Sequence, residues 1–316
     1  MHQRQSIWFS PGGLRGSDAS EQALSYRFDN ATVTFSHSHD GWLRVSFFLG
    51  PGAREGTEGS QSGPAQRRSW ALDPKSAATR RWFRPEVDSP QPVHRQQQRR
   101  FDHGHGGVEG EENPHEDTRG VVPVSVTGYR VELPVPGLHA DHLSFARSRD
   151  GWYLSLPLDA GLRVYGLGEK TGSLDKRGRS WTMWNSDEPD HTPDRDPLYQ
   201  SIPVAYLFDP TGTSTLLVDS TATVTLDVGE AHAERLDLEV ADSSFDLYLR
   251  HDTSLPEAVN AYSELTGRMP LPPEWALGFQ QCRYSYFPDT RVLEVAHRLR
   301  EEQIPADVIY LDIHYM

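Results

Sequence analysis

Short runs in which apolar and polar residues alternate recur between residues 31 and 249. Such alternation, with a period of two, is typical of strands that bury one face. Turn sequences rich in Pro, Gly and Asp separate the runs, as at residues 208–212, where Pro210 presets the backbone of a hairpin turn. Many short strands with little helical periodicity predict a mainly β fold, an antiparallel β-sandwich. The predicted strands cover residues 31–35, 42–48, 129–133, 152–156, 204–208, 214–218, 222–226 and 244–249.

The pattern changes at Ser254, where a hydroxyl cap, an early Pro and a Glu at the third position predict the start of a helix that ends at Gly267. Beyond a Pro-rich joint, residues 275–279 form a continuous apolar run that predicts a buried strand. An amphipathic helix is predicted after Pro288, and residues 308–313 predict a second buried strand. Strand, helix and strand in this order predict a βαβ unit with parallel strands. We therefore place one domain over residues 1–268 and the start of a second over residues 269–316.

Polar residues are concentrated between residues 52 and 120, where Gln, Gly and Pro accompany equal numbers of acidic and basic residues. Such a composition buries too little apolar surface to offset the entropy lost on ordering, so we predict a low-complexity, disordered insertion. His94, His103, His105 and His115 offer metal-ligating groups there. Because histidines spaced by Gly in such a segment lack a scaffold that fixes coordination geometry, we predict no metal site.

Charge and cysteine content exclude several classes of protein. The 316 residues carry a formal net charge of −14, whereas nucleic-acid binding needs clustered Lys and Arg. No stretch approaches the roughly 20 apolar residues of a membrane helix. Cys282 is the one cysteine, which excludes an intramolecular disulfide, and the first residues lack the apolar run of a signal peptide. These features predict a cytoplasmic protein that binds neither nucleic acid nor membrane.

Residues 164–203 combine glycines, aromatic residues and acids. Gly166 and Gly168 do not fit a nucleotide-binding loop, since the spacing is wrong and no helix follows, so we expect a close backbone approach instead. Trp184 and Asp187, with Trp181 and Asn185 beside them, offer the ring faces and polar groups that a sugar requires. The alternative is that the Trp residues pack at the edge of the core and Asp187 caps a turn.

Polar and aromatic residues also follow each strand of the predicted βαβ unit. The carboxyl ends of parallel strands face the ligand in α/β folds, which places Arg283, Tyr284 and Asp312 where function is expected. Cys282 has no recognisable base beside it, so we expect a packed, inert thiol rather than a nucleophile. For His314 we expect a structural or supporting role rather than that of a general base.

Four strings in this order resemble glycoside hydrolase family 31, the α-glucosidase family: YGLGEK, MWNSDEP with DPLYQSIP, PLPPEWALGFQQCRYSYFPDT, and IPADVIYLDIHYM. They cover about residues 160–316. The resemblance implies a β-sandwich of the galactose-mutarotase-like type followed by the first βαβ unit of a (β/α)₈ barrel. It also implies a retaining hydrolase of terminal α-linked glucose or a related α-glycoside that uses no metal or organic cofactor.

The resemblance further implies four substrate-binding residues. Asp187 matches an aspartate on a sandwich loop that reaches over the barrel mouth, and Tyr284 matches an aromatic residue that lines the same sugar subsite. Asp312 matches the aspartate that binds the hydroxyls of the non-reducing sugar, and Ile313 the apolar residue beside it. His314 departs from the Asp that is frequent at its position, which leaves substrate preference open.

The two catalytic aspartates of that family lie on later barrel strands, so the resemblance assigns no catalytic residue within residues 1–316. We therefore expect the 316-residue chain alone to be inactive and poorly soluble. Two alternatives stay open at this point. One is a non-enzymatic carbohydrate-binding β-sandwich or the product of a split or decayed gene, and the other is an α-xylosidase, α-galactosidase or α-transglycosylase of the same family.

Overall fold

The computed structural model describes residue 11 and residues 13–50, 82–100, 121–148 and 151–315. The chain forms two compact units, residues 1–267 and residues 268–316. None of the helices within the described ranges is long and apolar enough to cross a membrane.

The first unit consists mainly of strands, and each strand expected from the alternating pattern is present. The strands are β1 (Leu14–Ala19), β2 (Leu24–Phe28), β3 (Ala31–Ser38), β4 (Leu43–Leu49), β5 (Trp82–Phe83), β6 (Gln91–Arg100), β7 (Val121–Glu132), β8 (His142–Arg147), β9 (Trp152–Pro157), β10 (Arg163–Gly168), β11 (Ser180–Met183), β12 (Ser201–Asp209), β13 (Gly212–Asp219), β14 (Val224–Val228), β15 (Arg235–Val240) and β16 (Ser244–Asp252).

Within the described residues these strands form two antiparallel sheets. The larger sheet has the order β1-β2-β3-β4-β16-β13-β12-β10, with β5 paired to β3, and the smaller has the order β11-β14-β15-β9-β8-β7-β6. Aromatic side chains from the two sheets meet in one core: Phe47 of β4 contacts Trp152 of β9 with ring centroids 5.0 Å apart, and Phe28 of β2 meets Phe145 of β8 at 5.8 Å. The predicted antiparallel β-sandwich is therefore confirmed.

Part of the segment predicted to be disordered is structured. β5 and β6 lie within residues 52–120, and β6 pairs with β7 along its whole length, from Gln91 opposite Arg130 to Arg100 opposite Val121. The pairing satisfies backbone groups without requiring apolar side chains, so a polar composition did not reveal this strand. The prediction of disorder is wrong for these two strands, while residues 52–81 and 101–120 lie outside the described residues, as do the side chains of the four histidines.

The helix expected after Ser254 is confirmed as Leu255–Thr266, the first helix of the described residues. The Ser254 hydroxyl accepts a hydrogen bond from the backbone N–H of Glu257 at 3.4 Å, and Gly267 ends the helix with φ +96°. The buried face of the helix, with Ala261 and Leu265, packs with Trp42 and Tyr248 on the outer face of the larger sheet. This helix therefore covers the side of the larger sheet that does not face the smaller one.

The second unit contains the expected βαβ arrangement, but its elements differ in detail. β17 (Gln280–Cys282) and β18 (Val308–Tyr310) pair in parallel, and the second helix, Asp289–Glu301, connects them. The predicted buried strand at residues 275–279 is wrong, because Glu274–Leu277 form a short 3₁₀ helix in which Trp275 and Leu277 are exposed. The strand predicted for residues 308–313 ends at Tyr310, since the backbone turns at Asp312 with φ +61°. Its residues are half-buried or exposed rather than buried.

Two histidines contact each other where the segment between β7 and β8 meets the larger sheet. The ring of His251, on β16, meets that of His139 edge-on with centroids 5.2 Å apart, and its Nδ1 lies 3.1 Å from the hydroxyl of Ser214. Burial and, to a lesser degree, the charge of His139 lower the pKa of His251, whereas Asp252 and Asp209 act in the opposite direction. The folded protein therefore binds a proton at His251 less readily than the unfolded chain does.

This pair predicts a pH-dependent stability. Because the unfolded chain binds the proton more tightly, stability contributed by neutral His251 is complete above the unfolded pKa of about 6.5 and is lost as the pH falls below it. His251→Gln should therefore reduce the difference in unfolding free energy between pH 8 and pH 5, measured by urea denaturation. His297→Gln, at an exposed position of the second helix, should leave that difference unchanged. An equal pH dependence in the wild type and in H251Q would contradict this.

Candidate functional site

The segment that follows β10 begins with a close approach of two backbones. Gly166 and Gly168 have φ of +106° and +80°, and the pairing of β10 with β12 shifts register between them. A Cβ atom at Gly166 would lie 2.3 Å from the carbonyl oxygen of Val204, and one at Gly168 would lie 2.6 Å from that of Gln200. No side chain fits at these distances, which confirms the expected close backbone approach.

The loop between β11 and β12, residues 184–200, leads from the smaller sheet to the larger sheet and carries Asp187. Its two ends are hydrogen-bonded to each other: the backbone N–H of Trp184 donates to the Ser201 hydroxyl at 3.1 Å. The Asn185 side-chain oxygen accepts from the backbone N–H of Ser201 at 2.7 Å. Further in, the Ser186 N–H donates to the Leu198 carbonyl at 2.9 Å. The two ends of the loop are thus held together by hydrogen bonds, and Asp187 lies at an exposed position just beyond them.

Asp187 and its neighbour Glu188 have different surroundings. Glu188 forms an ion pair with Arg195, and the hydrogen bond from Arg195 holds the pKa of Glu188 below its usual range. Asp187 interacts instead with Tyr199. Partial burial raises the pKa of Tyr199, and the negative charge of Asp187 and the hydrogen bond between the two side chains raise it further. Asp187 is therefore an exposed carboxylate beside a neutral phenol, a combination suited to binding sugar hydroxyls.

The two tryptophans of this region differ in their exposure. Trp181 is buried, donates from Nε1 to the Lys176 carbonyl at 2.8 Å, and has the Arg179 guanidinium 4.3 Å from its ring centroid. Packing, the alternative considered from the sequence, therefore describes Trp181. Trp184 is 55% exposed and remains available to a ligand that stacks on an aromatic face.

In the second unit, Asp312 lies just beyond the end of β18. Its Oδ1 accepts a hydrogen bond from the backbone N–H of Ile313 at 2.6 Å, and an Asp tolerates the left-handed backbone at this position better than most residues do. Oδ1 thus stabilises the turn, and among the described residues no hydrogen bond to Oδ2 is found. Tyr284 and Ile313 are 68% and 61% exposed.

His314 connects the segments that follow the two strands. Its Nδ1 lies 2.6 Å from the Ser285 hydroxyl, and its ring is nearly parallel to that of Tyr284, with centroids 5.9 Å apart and an interplanar angle of 11°. The structure therefore brings together Tyr284 and His314, a contact that the sequence did not predict. Nearby, Cys282 is exposed rather than packed, because β17 is not covered within the second unit.

The predicted site residues are divided between the two units: Asp187 lies in the first, and Tyr284, Asp312 and Ile313 lie in the second. Arg283 places its guanidinium 5.7 Å from the ring centroid of Tyr286. Among the described side chains, no three of His, Cys, Asp and Glu are grouped in a way that could hold a metal ion.

Two family models match this chain. The glycosyl hydrolase 31 N-terminal galactose mutarotase-like domain matches residues 32–227, and the glycosyl hydrolases family 31 TIM-barrel domain matches residues 269–316.

Curated relatives include alpha-glucosidase 2 of Bacillus thermoamyloliquefaciens, 44% identical over 160 residues, which are 50% of this chain and 20% of that protein. An alpha-glucosidase of Saccharolobus solfataricus is 33% identical over 160 residues, 50% of this chain and 23% of that protein. The chain thus spans about a fifth of the length of these relatives. Among solved structures, a GH31 dextranase of Flavobacterium johnsoniae complexed with isomaltotriose superposes with a TM-score of 0.67 at 21% identity, covering 98% of this chain and 34% of that one. At this identity the superposition shows a shared fold.

Proposed function

Because this chain belongs to glycoside hydrolase family 31, we propose that the protein containing it hydrolyses terminal α-linked glucose from oligosaccharides or α-glucosides. The observation that carries the proposal is the identity of this chain with two α-glucosidases, 44% and 33% over 160 residues. We further propose that residues 1–268 form the sandwich domain and that residues 269–316 open the catalytic barrel.

In this proposal the chain binds the sugar. The carboxylates of Asp187 and Asp312 accept hydrogen bonds from sugar hydroxyls, and bonds to charged acceptors are the strong ones. The exposed ring of Tyr284 and the side chain of Ile313 cover the apolar C–H faces of the sugar. What supports these roles is the exposure of Asp187, Tyr284 and Ile313, and the position of Asp312 at the turn after β18.

The chemistry in this proposal is hydrolysis with retention of configuration. One carboxylate attacks the anomeric carbon to form a glycosyl ester while a second protonates the departing oxygen and then activates water, which requires the two groups to lie about 5–5.5 Å apart. We assign neither role to Asp187 or Asp312, since both are proposed to hold the substrate. The two catalytic aspartates are proposed to come from barrel strands other than β17 and β18.

Turnover of aryl α-glycosides by the intact protein that contains this chain tests the proposal. We expect release of the aryl group from the α-glucoside to exceed release from the α-xyloside and the α-galactoside. Preference for one of the latter two would reassign the substrate within the family. Binding of α-linked oligosaccharide without turnover of any of the three would overturn the enzymatic proposal in favour of a carbohydrate-binding protein.

Asp187→Asn should lower kcat/KM for the aryl α-glucoside by about 10- to 100-fold, because a hydrogen bond to a charged group contributes about 1.5–3 kcal/mol. Asp190→Asn is the matched control, since Asp190 is an exposed acid of the same loop. It should leave kcat/KM within about twofold of the wild type, as surface substitutions usually do. An unchanged kcat/KM in D187N would remove Asp187 from the proposed site.

A further inference from the structure

We propose that Lys170 and Asp196 are positioning residues, a buried ion pair that closes the base of the loop carrying Asp187. The role of this loop in binding sugar rests on the proposed function. The closure of the loop is a property of the fold and is tested separately.

The pair is buried and its contacts reach both ends of the loop. Lys170 Nζ lies 2.7 Å from Asp196 Oδ1, and the side chains are 0% and 10% exposed. The same Nζ donates to the Thr182 carbonyl at 2.6 Å, while Asp196 Oδ2 accepts from the Thr182 backbone N–H at 2.6 Å. Thr182 is thus held through both of its backbone polar groups by the two members of the pair.

These contacts connect the two sheets at the point where the loop crosses between them. Lys170 follows β10 of the larger sheet, and Thr182 lies on β11 at the edge of the smaller sheet. Asp196 belongs to the part of the loop that returns toward β12. A second hydrogen bond beside the pair, from the Thr171 hydroxyl to the Arg195 carbonyl at 3.0 Å, holds the part of the loop that returns toward β12. The start and the end of the loop are therefore bound to one another through Lys170 and Asp196.

The charges around the pair favour this arrangement. Burial, followed by the positive charges of Arg179 and Lys170, lowers the pKa of Lys176. Asp175, the other acid near these cations, is already paired with Arg163 at 3.0 Å. Removing the Asp196 carboxylate would thus leave Lys170 buried among like charges, and removing Lys170 would leave a buried carboxylate unpaired. Breaking one side of a buried pair costs far more than an exposed pair contributes.

Hydrogen exchange measured by mass spectrometry on the intact protein tests the closure. In Lys170→Met and in Asp196→Asn, amides of residues 184–195 should exchange at least about 10-fold faster, while those of β13 and β16 keep the wild-type rate. Arg235→Met is the control, because it breaks another ion pair of the sandwich, Arg235–Asp237 on β15 at 2.6 Å, in which the acid is as buried as Asp196 and the Arg is 28% exposed. It should leave exchange of residues 184–195 unchanged.

Wild-type exchange in residues 184–195 of both variants would overturn the proposal, as would an equal acceleration in R235M. If K170M does not fold, D196N, which preserves the shape of the side chain, decides the question. If neither folds while R235M does, the pair supports the whole sandwich rather than the loop, and the proposal is overturned.

A kinetic measurement shows whether the closure matters for the sugar. In D196N, KM for the aryl α-glucoside should rise by about 10-fold with a smaller change in kcat, since Asp196 acts only by placing Asp187. R235M should retain the wild-type KM. If the wild type shows no turnover, the proposed function fails, and the hydrogen-exchange result still stands by itself. Faster exchange with an unchanged KM would separate the loop from substrate binding and overturn the positioning role.

Discussion

Replacing Asp312 with Asn should lower kcat/KM for an aryl α-glucoside by about 100- to 1000-fold, the effect expected when hydrogen bonds from two sugar hydroxyls lose a charged acceptor. Asn keeps the side-chain oxygen that accepts from the Ile313 N–H, and it tolerates the left-handed backbone at φ +61°. The turn at the end of β18 should therefore persist. The loss then reports the carboxylate charge rather than a disrupted fold.

Glu302→Gln provides the control for this experiment, because Glu302 is an acid of the same unit. It follows the second helix and pairs with Arg298 in the last turn of that helix, at 2.7 Å. It should leave kcat/KM within about twofold of the wild type. Near-ultraviolet circular dichroism of D312N compared with the wild type verifies that the fold is retained. A kcat/KM of D312N close to that of the wild type would refute the proposed role of Asp312 in sugar binding.

Truncation of Phe47 should cause a large loss of stability in the sandwich. Phe47 is buried at the centre of the core, stacks on Phe245 with centroids 4.9 Å apart, and meets Trp152 and Phe145 of the smaller sheet at 5.0 and 6.0 Å. Phe47→Ala removes contacts to both sheets and leaves a cavity between them, so unfolding free energy should fall by about 3–5 kcal/mol. Urea denaturation followed by tryptophan fluorescence measures the change.

Phe83→Ala is the matched truncation at an exposed site, since Phe83 is 43% exposed and contacts the ring of His39. It should cost less than about 1 kcal/mol, because little apolar surface returns to water and no enclosed cavity forms. Similar losses for the two variants would mean that the two sheets do not form a common core at Phe47.

Strands that bury a single face could be predicted from sequence, because the side chains that do so recur at every second position. β3, with buried Ala31, Val33 and Phe35, shows this pattern directly. β6 lacks it, since its residues are mostly polar, and its place in the sheet follows from backbone pairing with β7. Periodicity therefore revealed many of the strands that contribute to the core, but β2, β8 and β15, which also bury core residues, were not predicted.

The error at residues 275–279 has a different cause. A continuous apolar run has no periodicity, so it does not distinguish a buried strand from a short helical turn. In the structure Pro273 precedes a 3₁₀ helix at Glu274–Leu277, and the strand begins only at Gln280, among polar residues. The parallel pairing of β17 with β18, by contrast, was predictable, because a helix of the right length lies between two strands.

The candidate site could be predicted only in part. Motif strings assigned roles to Asp187, Tyr284, Asp312 and Ile313, and these roles remain proposals. The ion pair of Lys170 with Asp196 was not predicted, because 25 residues of loop and strand separate its members along the chain and only the meeting of the two sheets brings them together. The contact of His314 with Ser285 was missed for the same reason, since it joins segments on either side of the second helix.

The pairing of β4 with β16 determines when the sandwich can be completed during synthesis. β1 to β4 form successive neighbours and can associate as soon as they emerge from the ribosome, but the next strand in their sheet is β16. Until β16 has been translated, the edge of β4 lacks its partner strand and Phe47 lacks Phe245, the ring on which it stacks. The nascent chain therefore carries an open strand edge from the synthesis of β4 to that of β16, the period in which a chaperone would protect it most from aggregation.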